Sequence, residues 1–278
     1  MGEGKRHKLM ACAKEPAPLL SLQNITLTFG GLTAVDGFSM EIPRGAITGL
    51  IGPNGAGKTT AFNVLAGRLS PDSGKVMFEG ADITKLAPHR RAALGIARTF
   101  QLPHEFARLT VIENLTAAAD SRLGENIVNA VFRRGRFLQE ERAIHERARD
   151  LLKFLGLDKL ALQQAGALSG GQKKLMELGR ALMREPKIVL LDEIGAGINR
   201  TLLSGIADRL LQLRAEKSIA FCLIEHDLDY VSKLCDSVYV MAGGKLLTHG
   251  GVAEVRADER VIEAYFGGGK YEARAGAA

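Results

Sequence analysis

Short apolar runs alternate along the chain with stretches in which apolar residues recur every three or four positions. The short runs are typical of β-strands and lie at residues 20–29, 38–42, 46–51, 76–78, 187–191 and 218–224. The last two are almost continuously apolar, as parallel strands are when both faces of their sheet are covered. Residues 238–241 and 245–249 flank Ala242, Gly243 and Gly244 and predict a β-hairpin.

Helical periodicity lies between these runs. It predicts a helix that begins near Thr60. Residues 139–157 have one apolar face and one face rich in Arg and Glu. Thr110 and Glu113 have the capping-box spacing of a helix start. Together the elements predict an α/β fold with a mostly parallel sheet, an antiparallel β layer and an inserted α-helical subdomain at about residues 105–175.

The composition is that of a soluble globular chain. The 278 residues are 46% hydrophobic and 24% charged, which suits one large or two modest domains. The longest uncharged stretch, residues 45–57, is glycine-rich and shorter than the ~18 apolar residues that a membrane span needs, so we expect no span. The three cysteines have no C-x-x-C spacing, which favours a reducing cytosol over a disulfide framework or a zinc site.

The net charge of +6 suits phosphate-bearing ligands, nucleic acid or an anionic membrane surface, and does not choose among them. Several arginines cluster between residues 133 and 149, as in a nucleic-acid interface. The interleaved acids Glu140, Glu141 and Glu146 favour instead a solvated helix face.

A glycine-rich loop between a predicted strand and a predicted helix carries the clearest functional signal. Residues 52–59 match the phosphate-binding pattern G-x-x-x-x-G-K-[ST] at every fixed position. The glycines allow backbone N–H groups to surround a phosphate, Lys58 adds a positive charge, and the Thr59 hydroxyl can bind Mg²⁺. We predict that the nucleotide-binding residues are Gly52, Asn54, Gly55, Gly57, Lys58, Thr59 and Thr60.

Two adjacent carboxylates follow the apolar run at residues 187–191. Asp192 and Glu193 fall at the carboxyl end of a predicted parallel strand, where open sheets bind ligands. A carboxylate beside Mg²⁺ orients the metal, and a neighbour that faces the γ-phosphate can accept a proton from the attacking water. We assign Asp192 to the metal and Glu193 to the water.

A second candidate anion site begins the helix predicted after Leu168. Ser169 is a favourable N-cap, and Gly170 and Gly171 leave backbone N–H groups exposed at the helix start. One nucleotide has no obvious use for both this site and the loop at residues 52–59.

The loop at residues 52–59, the LSGGQ sequence at 168–172 and the strand that ends in Asp-Glu occur in an order that resembles the ATP-binding subunits of ABC transporters. The resemblance implies a P-loop NTPase core and hydrolysis of ATP with Mg²⁺. It also implies that two such domains pack head to tail, so that the LSGGQ residues of one subunit meet ATP held by the other. Those residues are Ser169, Gly170, Gly171 and Gln172.

Three further positions take their roles from the resemblance. Gln101 matches a glutamine that contacts Mg²⁺ and water and adjoins the contact with the membrane subunit. His226 matches a histidine that senses the γ-phosphate. Phe29 stands where an aromatic residue stacks on adenine, with an ordinary strand-end core residue as the alternative. The predicted catalytic residues are Glu193, His226 and Gln101, and the predicted Mg²⁺ ligands are Thr59, Gln101 and Asp192.

The ATPases of branched-chain amino acid importers are similar in further segments: FGGL at 29–32, RTFQ at 98–101, LTVIENL at 109–115, IEHD at 224–227 and VIEAY at 261–265. Two residues depart from that family's pattern. Ile194 stands where Pro is usual, and Ile198 where Leu is usual. Without the fixed φ of proline, the loop after Glu193 is expected to be looser, which affects the expected rate more than the reaction.

The resemblance therefore implies an ABC-type nucleotide-binding domain at residues 19–267, between flexible tails at 1–18 and 268–278. It implies the ATP-hydrolysing motor of an importer of branched-chain or related amino acids, peripheral to the cytoplasmic face of the cell membrane. The implied partners are a second ATPase subunit, identical or different, separate membrane permease subunits and, indirectly, an external solute-binding protein. No nucleic acid partner is expected.

Two alternatives stay open. The same motor can serve another cargo, such as urea, amides, aromatic acids or lipid, because the ATPase does not touch the cargo. A non-transport ABC ATPase that acts on ribosomes or DNA agrees with the positive charge. Such proteins usually carry two ATPase units or long coiled-coil insertions, and this sequence has neither.

Overall fold

The structure is a computed structural model that describes residues 17–99, 105–120, 134–195 and 197–266. The strands are β1 (Leu20–Phe29), β2 (Leu32–Ile42), β3 (Ile47–Ile51), β4 (Ser73–Phe78), β5 (Ala81–Asp82), β6 (Ile96–Arg98), β7 (Ile188–Asp192), β8 (Ala220–Ile224), β9 (Ser237–Ala242) and β10 (Lys245–Gly250). The α-helices are α1 (Lys58–Leu65), α2 (Pro88–Ala93), α3 (Val111–Thr116), α4 (Arg134–Leu155), α5 (Gly170–Leu182), α6 (Arg200–Lys217), α7 (Leu228–Leu234), α8 (Val252–Ala257) and α9 (Glu259–Phe266). None of the described helices is long and apolar enough to be a membrane span. The two predicted tails fall almost wholly outside the described residues.

The strands form two sheets. One has four antiparallel strands in the order β2-β1-β4-β5. The other has six strands in the order β10-β9-β3-β8-β7-β6, and all of them are parallel except β10, which forms a hairpin with β9. These sheets confirm the predicted α/β fold, with a mostly parallel sheet and an antiparallel β layer.

The parallel sheet separates two hydrophobic cores. Side chains alternate between the two faces of a strand, so Val189 and Leu191 of β7 enter one core while Ile188 and Leu190 enter the other. The first core packs the sheet against α3, α4, α5 and α6. The second packs it against α1 and the antiparallel sheet. Burial on both faces explains the continuous apolar runs in the sequence.

The helical segment begins with the predicted capping box. The Thr110 N–H donates to Glu113 Oε2 at 2.7 Å, and the Glu113 N–H donates to Thr110 Oγ1 at 3.3 Å. The predicted apolar face of the long helix is confirmed, since Ala148, Leu152 and Leu155 are buried. Helix α4 begins at Arg134 rather than at residue 139, because its polar first turns carry no apolar period.

Several short elements were not predicted. Strand β2 begins at Leu32, where Gly30 and Gly31 turn the chain so that Leu32 pairs with Phe29. The polar residues around Gly37, which has a φ of +62° and lies near a register shift, conceal this strand from an alternation count. Helix α2 and strands β5 and β6 also escaped notice, because six residues or fewer show no reliable period.

A buried arginine joins α2 to the end of α1. Arg91 is 1% exposed, and its guanidinium donates to the carbonyls of Val64 at 2.6 Å and Leu65 at 2.7 Å. It also donates to Thr84 O at 2.9 Å and Leu86 O at 3.0 Å. Arg91 therefore satisfies carbonyls that the end of α1 leaves without helical partners.

We expect Arg91→Met to lower the free energy of unfolding by about 3 kcal/mol, since it leaves buried carbonyls without donors. Urea denaturation followed by circular dichroism measures the change. The matched control is Arg90→Met on the same helix, where the side chain is exposed and the expected change is within about 0.5 kcal/mol. Equal stability of the two variants would contradict the assignment.

Candidate functional site

The glycine-rich loop at residues 52–57 connects buried strand β3 to helix α1. Gly52 has a φ of +149° and Gly57 a φ of +97°, which L side chains rarely adopt. A Cβ atom at Gly52 would overlap the carbonyl oxygen of Met241, and one at Gly57 would overlap that of Ala34. The loop is thus pressed against β9 and β2, and glycine is required at both ends.

Lys58, the first residue of α1, points its ammonium group back into this loop. Its Nζ donates to Gly52 O at 2.7 Å and to Pro53 O at 2.9 Å, and the residue is 6% exposed. Burial lowers the pKa of Lys58, and the nearby carboxylates of Glu193 and Asp192 act against that shift. The loop, the ammonium and the two predicted carboxylates therefore lie together, as the sequence predicted.

Asp192, the last residue of β7, is held by an arginine that was not predicted as a site residue. Asp192 is 4% exposed, and its Oδ2 accepts a hydrogen bond from Arg98 Nη2 at 2.8 Å. Arg98 Nη1 also donates to Asn63 Oδ1 of α1 at 2.7 Å. Arg98 therefore connects the phosphate-loop helix with the carboxylate. The sequence placed Arg98 only within a family motif, and no local signal marks this pairing.

Glu193 and His226 meet although they are distant in sequence. Their strands β7 and β8 are neighbours in the parallel sheet, and both residues follow the carboxyl ends of those strands. His226 Nε2 lies 3.0 Å from Glu193 Oε1. The two predicted catalytic residues are thus within hydrogen-bond distance of each other.

A cleft of about 840 Å³ opens above the loop, which lies within the usual range of ligand sites. Glu193 and His226 line it together with residues 54–60. Two turns that the sequence analysis did not assign to the site complete the lining; their residues are Gly31, Leu32, Thr33, Ala34, Asp36, Gly243, Gly244 and Lys245. Lys245 Nζ and Asp36 Oδ2 form an ion pair of 3.1 Å there. Only the packing of β10 beside β2 brings these turns together.

Phe29, the predicted adenine contact, lies at the β1–β2 turn with 49% of its surface exposed. Among the described residues, the cleft lining includes Leu32 from this turn and does not include Phe29. A stacking role for Phe29 stays a prediction.

Ser169 begins α5 in a capping box with Gln172. The Ser169 N–H donates to Gln172 Oε1 at 2.9 Å, and the Gln172 N–H donates to Ser169 Oγ at 3.4 Å. A Cβ atom at Gly171 would overlap Leu202, whereas the space around Gly170 is open. In the described part of the chain, none of the four LSGGQ site residues lines the cleft. The two predicted anion sites are therefore separate within one chain.

The predicted Mg²⁺ ligands fit a divalent cation by their chemistry. Thr59 offers a hydroxyl and Asp192 a carboxylate, and Mg²⁺ prefers such oxygen donors. Across the described ranges there is no group of three or more His, Cys, Asp and Glu side chains that could hold a metal. That suits Mg²⁺, which usually takes one or two carboxylates and completes its shell with phosphate oxygens and water. Gln101 lies outside the described residues, as does Ala196 in the loop after Glu193.

Comparison with known sequences identifies related proteins. The model of the ABC transporter family matches residues 35–196, and that of the branched-chain amino acid ATP-binding cassette transporter family matches residues 245–271. The probable branched-chain amino acid transport ATP-binding protein LivG of Archaeoglobus fulgidus is 42% identical over 249 residues, which cover 90% of this chain and 95% of that protein. The high-affinity branched-chain amino acid transport ATP-binding protein BraF of Pseudomonas aeruginosa is 36% identical over 250 residues, which cover 90% and 98%.

Solved structures of ATP-binding cassettes share the fold. A nucleotide-free cassette from an ABC transporter has a TM-score of 0.78 and 40% identity, with 89% of this chain and 98% of that chain covered. A second cassette, in its ADP conformation, has a TM-score of 0.78 and 39% identity, with 91% and 100% covered.

We expect Gly57→Ala to lower the free energy of unfolding by about 2 kcal/mol more than Gly55→Ala, because only the first adds a steric overlap. Gly55 is a matched control, since it also has a positive φ, of +79°, but no atom within 4 Å of an added Cβ. Chemical denaturation without nucleotide separates this effect from ligand binding. Equal losses would show that the loop is not pressed against Ala34.

Proposed function

This chain belongs to the ABC transporter family, and from that premise we propose that it is the ATP-hydrolysing motor subunit of an importer of branched-chain or related amino acids. The observation that carries the proposal is the pairing of Glu193 with His226 in the cleft that residues 54–60 also line. The cargo class is taken from the names of the relatives, which are branched-chain amino acid transport proteins.

In the proposed reaction, backbone N–H groups at the start of α1 and the Lys58 ammonium bind the phosphates of ATP. Glu193 accepts a proton from the water that attacks the γ-phosphate, and His226 orients the Glu193 carboxylate through their 3.0 Å contact. Thr59 and Asp192, with Gln101 as a third proposed ligand, would hold Mg²⁺, which offsets negative charge on the phosphates. Arg98 favours the ionised form of Asp192 that such binding needs.

The proposed working unit is a head-to-tail dimer. Its support is the separation between the LSGGQ residues and the cleft of the same chain. In the dimer, Ser169, Gly170, Gly171 and Gln172 of one subunit bind ATP held by the other. The open space around Gly170 leaves its backbone accessible to a phosphate. ATP closes this dimer, and hydrolysis reopens it.

The proposed partners are separate permease subunits, a second ATPase subunit and, indirectly, an external solute-binding protein. We place the chain at the cytoplasmic face of the cell membrane, peripheral to it, within an ABC-type domain that spans residues 19–267. The relatives' transport-system names support this setting over a non-transport ATPase.

Glu193→Gln is expected to lower kcat for ATP hydrolysis by ~10²-fold or more, because an amide does not act as the base. Mg-ATP affinity should change by less than about twofold, since the shape of the side chain is kept. ATP should then accumulate the dimer, which size-exclusion chromatography with light scattering detects. Glu216→Gln, on the surface of α6, is the charge-matched control. Wild-type turnover in the Glu193 variant would exclude Glu193 as the base.

The cargo is tested by purifying the tagged chain from native membranes with its permease and solute-binding protein. Isothermal titration of the co-purified binding protein should give tight binding of leucine, isoleucine or valine. Urea, amides, aromatic acids or lipid as the bound cargo would overturn the cargo assignment and leave the motor assignment intact. Recovery with ribosomes or DNA and no permease would overturn both.

A further inference from the structure

The loop that follows the proposed base has an unusual backbone conformation. Glu193 has a φ of +50°, which costs a residue other than glycine about 1–3 kcal/mol unless surrounding contacts compensate. A proline at position 194 would push residue 193 toward extended backbone with negative φ. Ile194 therefore permits the left-handed conformation of Glu193, and other contacts must maintain it.

Lys174 supplies those contacts from helix α5. Its Nζ donates to Glu193 O at 2.9 Å and to Ile194 O at 3.0 Å. One ammonium thus holds two consecutive carbonyls of the loop. Because α5 begins at the Ser169 cap, the same helix carries both the LSGGQ residues and this contact.

Glu225 holds the other side of the loop. Its Oε1 accepts a hydrogen bond from the Gly195 N–H at 2.8 Å, and the residue is 5% exposed. The Glu193 N–H donates to Ile224 O at 3.0 Å. Glu225 directly precedes His226, so the residues that restrain the loop are joined to the histidine that meets the Glu193 carboxylate.

We propose that Lys174 is a positioning residue for ATP hydrolysis, which holds the backbone of Glu193 and Ile194 so that the Glu193 carboxylate stays against His226. The inference depends on the proposed role of Glu193 as the base. It also gives the LSGGQ helix a direct connection to the catalytic carboxylate of its own subunit. Binding of a partner's nucleotide at Ser169 then reaches Glu193 through one helix.

The partial burial of Lys174 supports this role. Burial lowers the pKa of its ammonium, and the carboxylates of Glu225, Glu193 and Glu177 act against the shift. The charge is therefore retained among acids while its protons are directed to the loop carbonyls. Removal of the ammonium would leave the positive φ of Glu193 without this restraint.

The test compares Lys174→Met, Lys174→Arg and Lys173→Met in the full-length chain. Methionine keeps the length of the side chain and removes the donors, whereas arginine keeps both charge and donors. Lys173→Met is the matched control, because this neighbour on the same helix pairs with Glu105 at 2.7 Å instead. The readouts are kcat and KM for ATP hydrolysis, equilibrium affinity for Mg-ATP, and the midpoint of thermal unfolding.

We expect Lys174→Met to lower kcat by about tenfold to a hundredfold, since small displacements of a reacting group have such effects. KM, Mg-ATP affinity and the unfolding midpoint should stay near wild type, Lys174→Arg should recover most of kcat, and Lys173→Met should resemble wild type. If Lys174→Met does not fold, Lys174→Gln provides the same test.

Wild-type kcat in Lys174→Met would overturn the inference, as would a loss that arginine fails to recover or that Lys173→Met shares. An equal loss of Mg-ATP affinity would also overturn it, because that result indicates a general structural role. These outcomes differ from failure of the proposed function, which would appear as full turnover in Glu193→Gln.

Discussion

The lateral pairing of three parallel strands is the constraint on which the site depends. Strand β8 lies between β3 and β7, so the carboxyl ends of all three meet at one edge of the sheet. The phosphate loop follows β3, Asp192 and Glu193 end β7, and His226 follows β8. Backbone hydrogen bonds hold these ends in register, with Asp192 opposite Ile224. Both hydrophobic cores pack on this sheet and make its edge rigid.

Charge compensation is the second principle of the site. Lys58, Asp192 and Glu225 are all nearly buried, and a buried charge is costly unless it has partners. Arg98 bonds Asp192, loop carbonyls accept from Lys58, and the Gly195 N–H bonds Glu225. Burial raises the pKa of Glu225, and its bond from Gly195 and the charge of Lys174 oppose that shift. Each charge is thus bonded to backbone or to an opposite charge of the neighbouring element.

Sequence reasoning succeeded where a signal is local. The loop at residues 52–59, the buried strand before Asp192 and the cap at Ser169 are all contained in a few consecutive residues, and the structure shows each element where it was expected. It failed for β5, β6 and α2, which are too short for a periodic pattern and depend on neighbours for their hydrogen bonds. The partnership of Arg98 with Asp192 escaped for a related reason, since 94 positions separate the two residues.

The sequence alone therefore determined the class of the fold, the phosphate loop and the reactive residue types, because these follow from local composition and period. Only the tertiary structure decided that the β1–β2 and β9–β10 turns line the same cleft and that the LSGGQ residues do not. It also decided that Lys174, rather than a proline, restrains the loop after Glu193. The physical reason is that these contacts join segments distant along the chain, and their geometry depends on how sheets and helices pack.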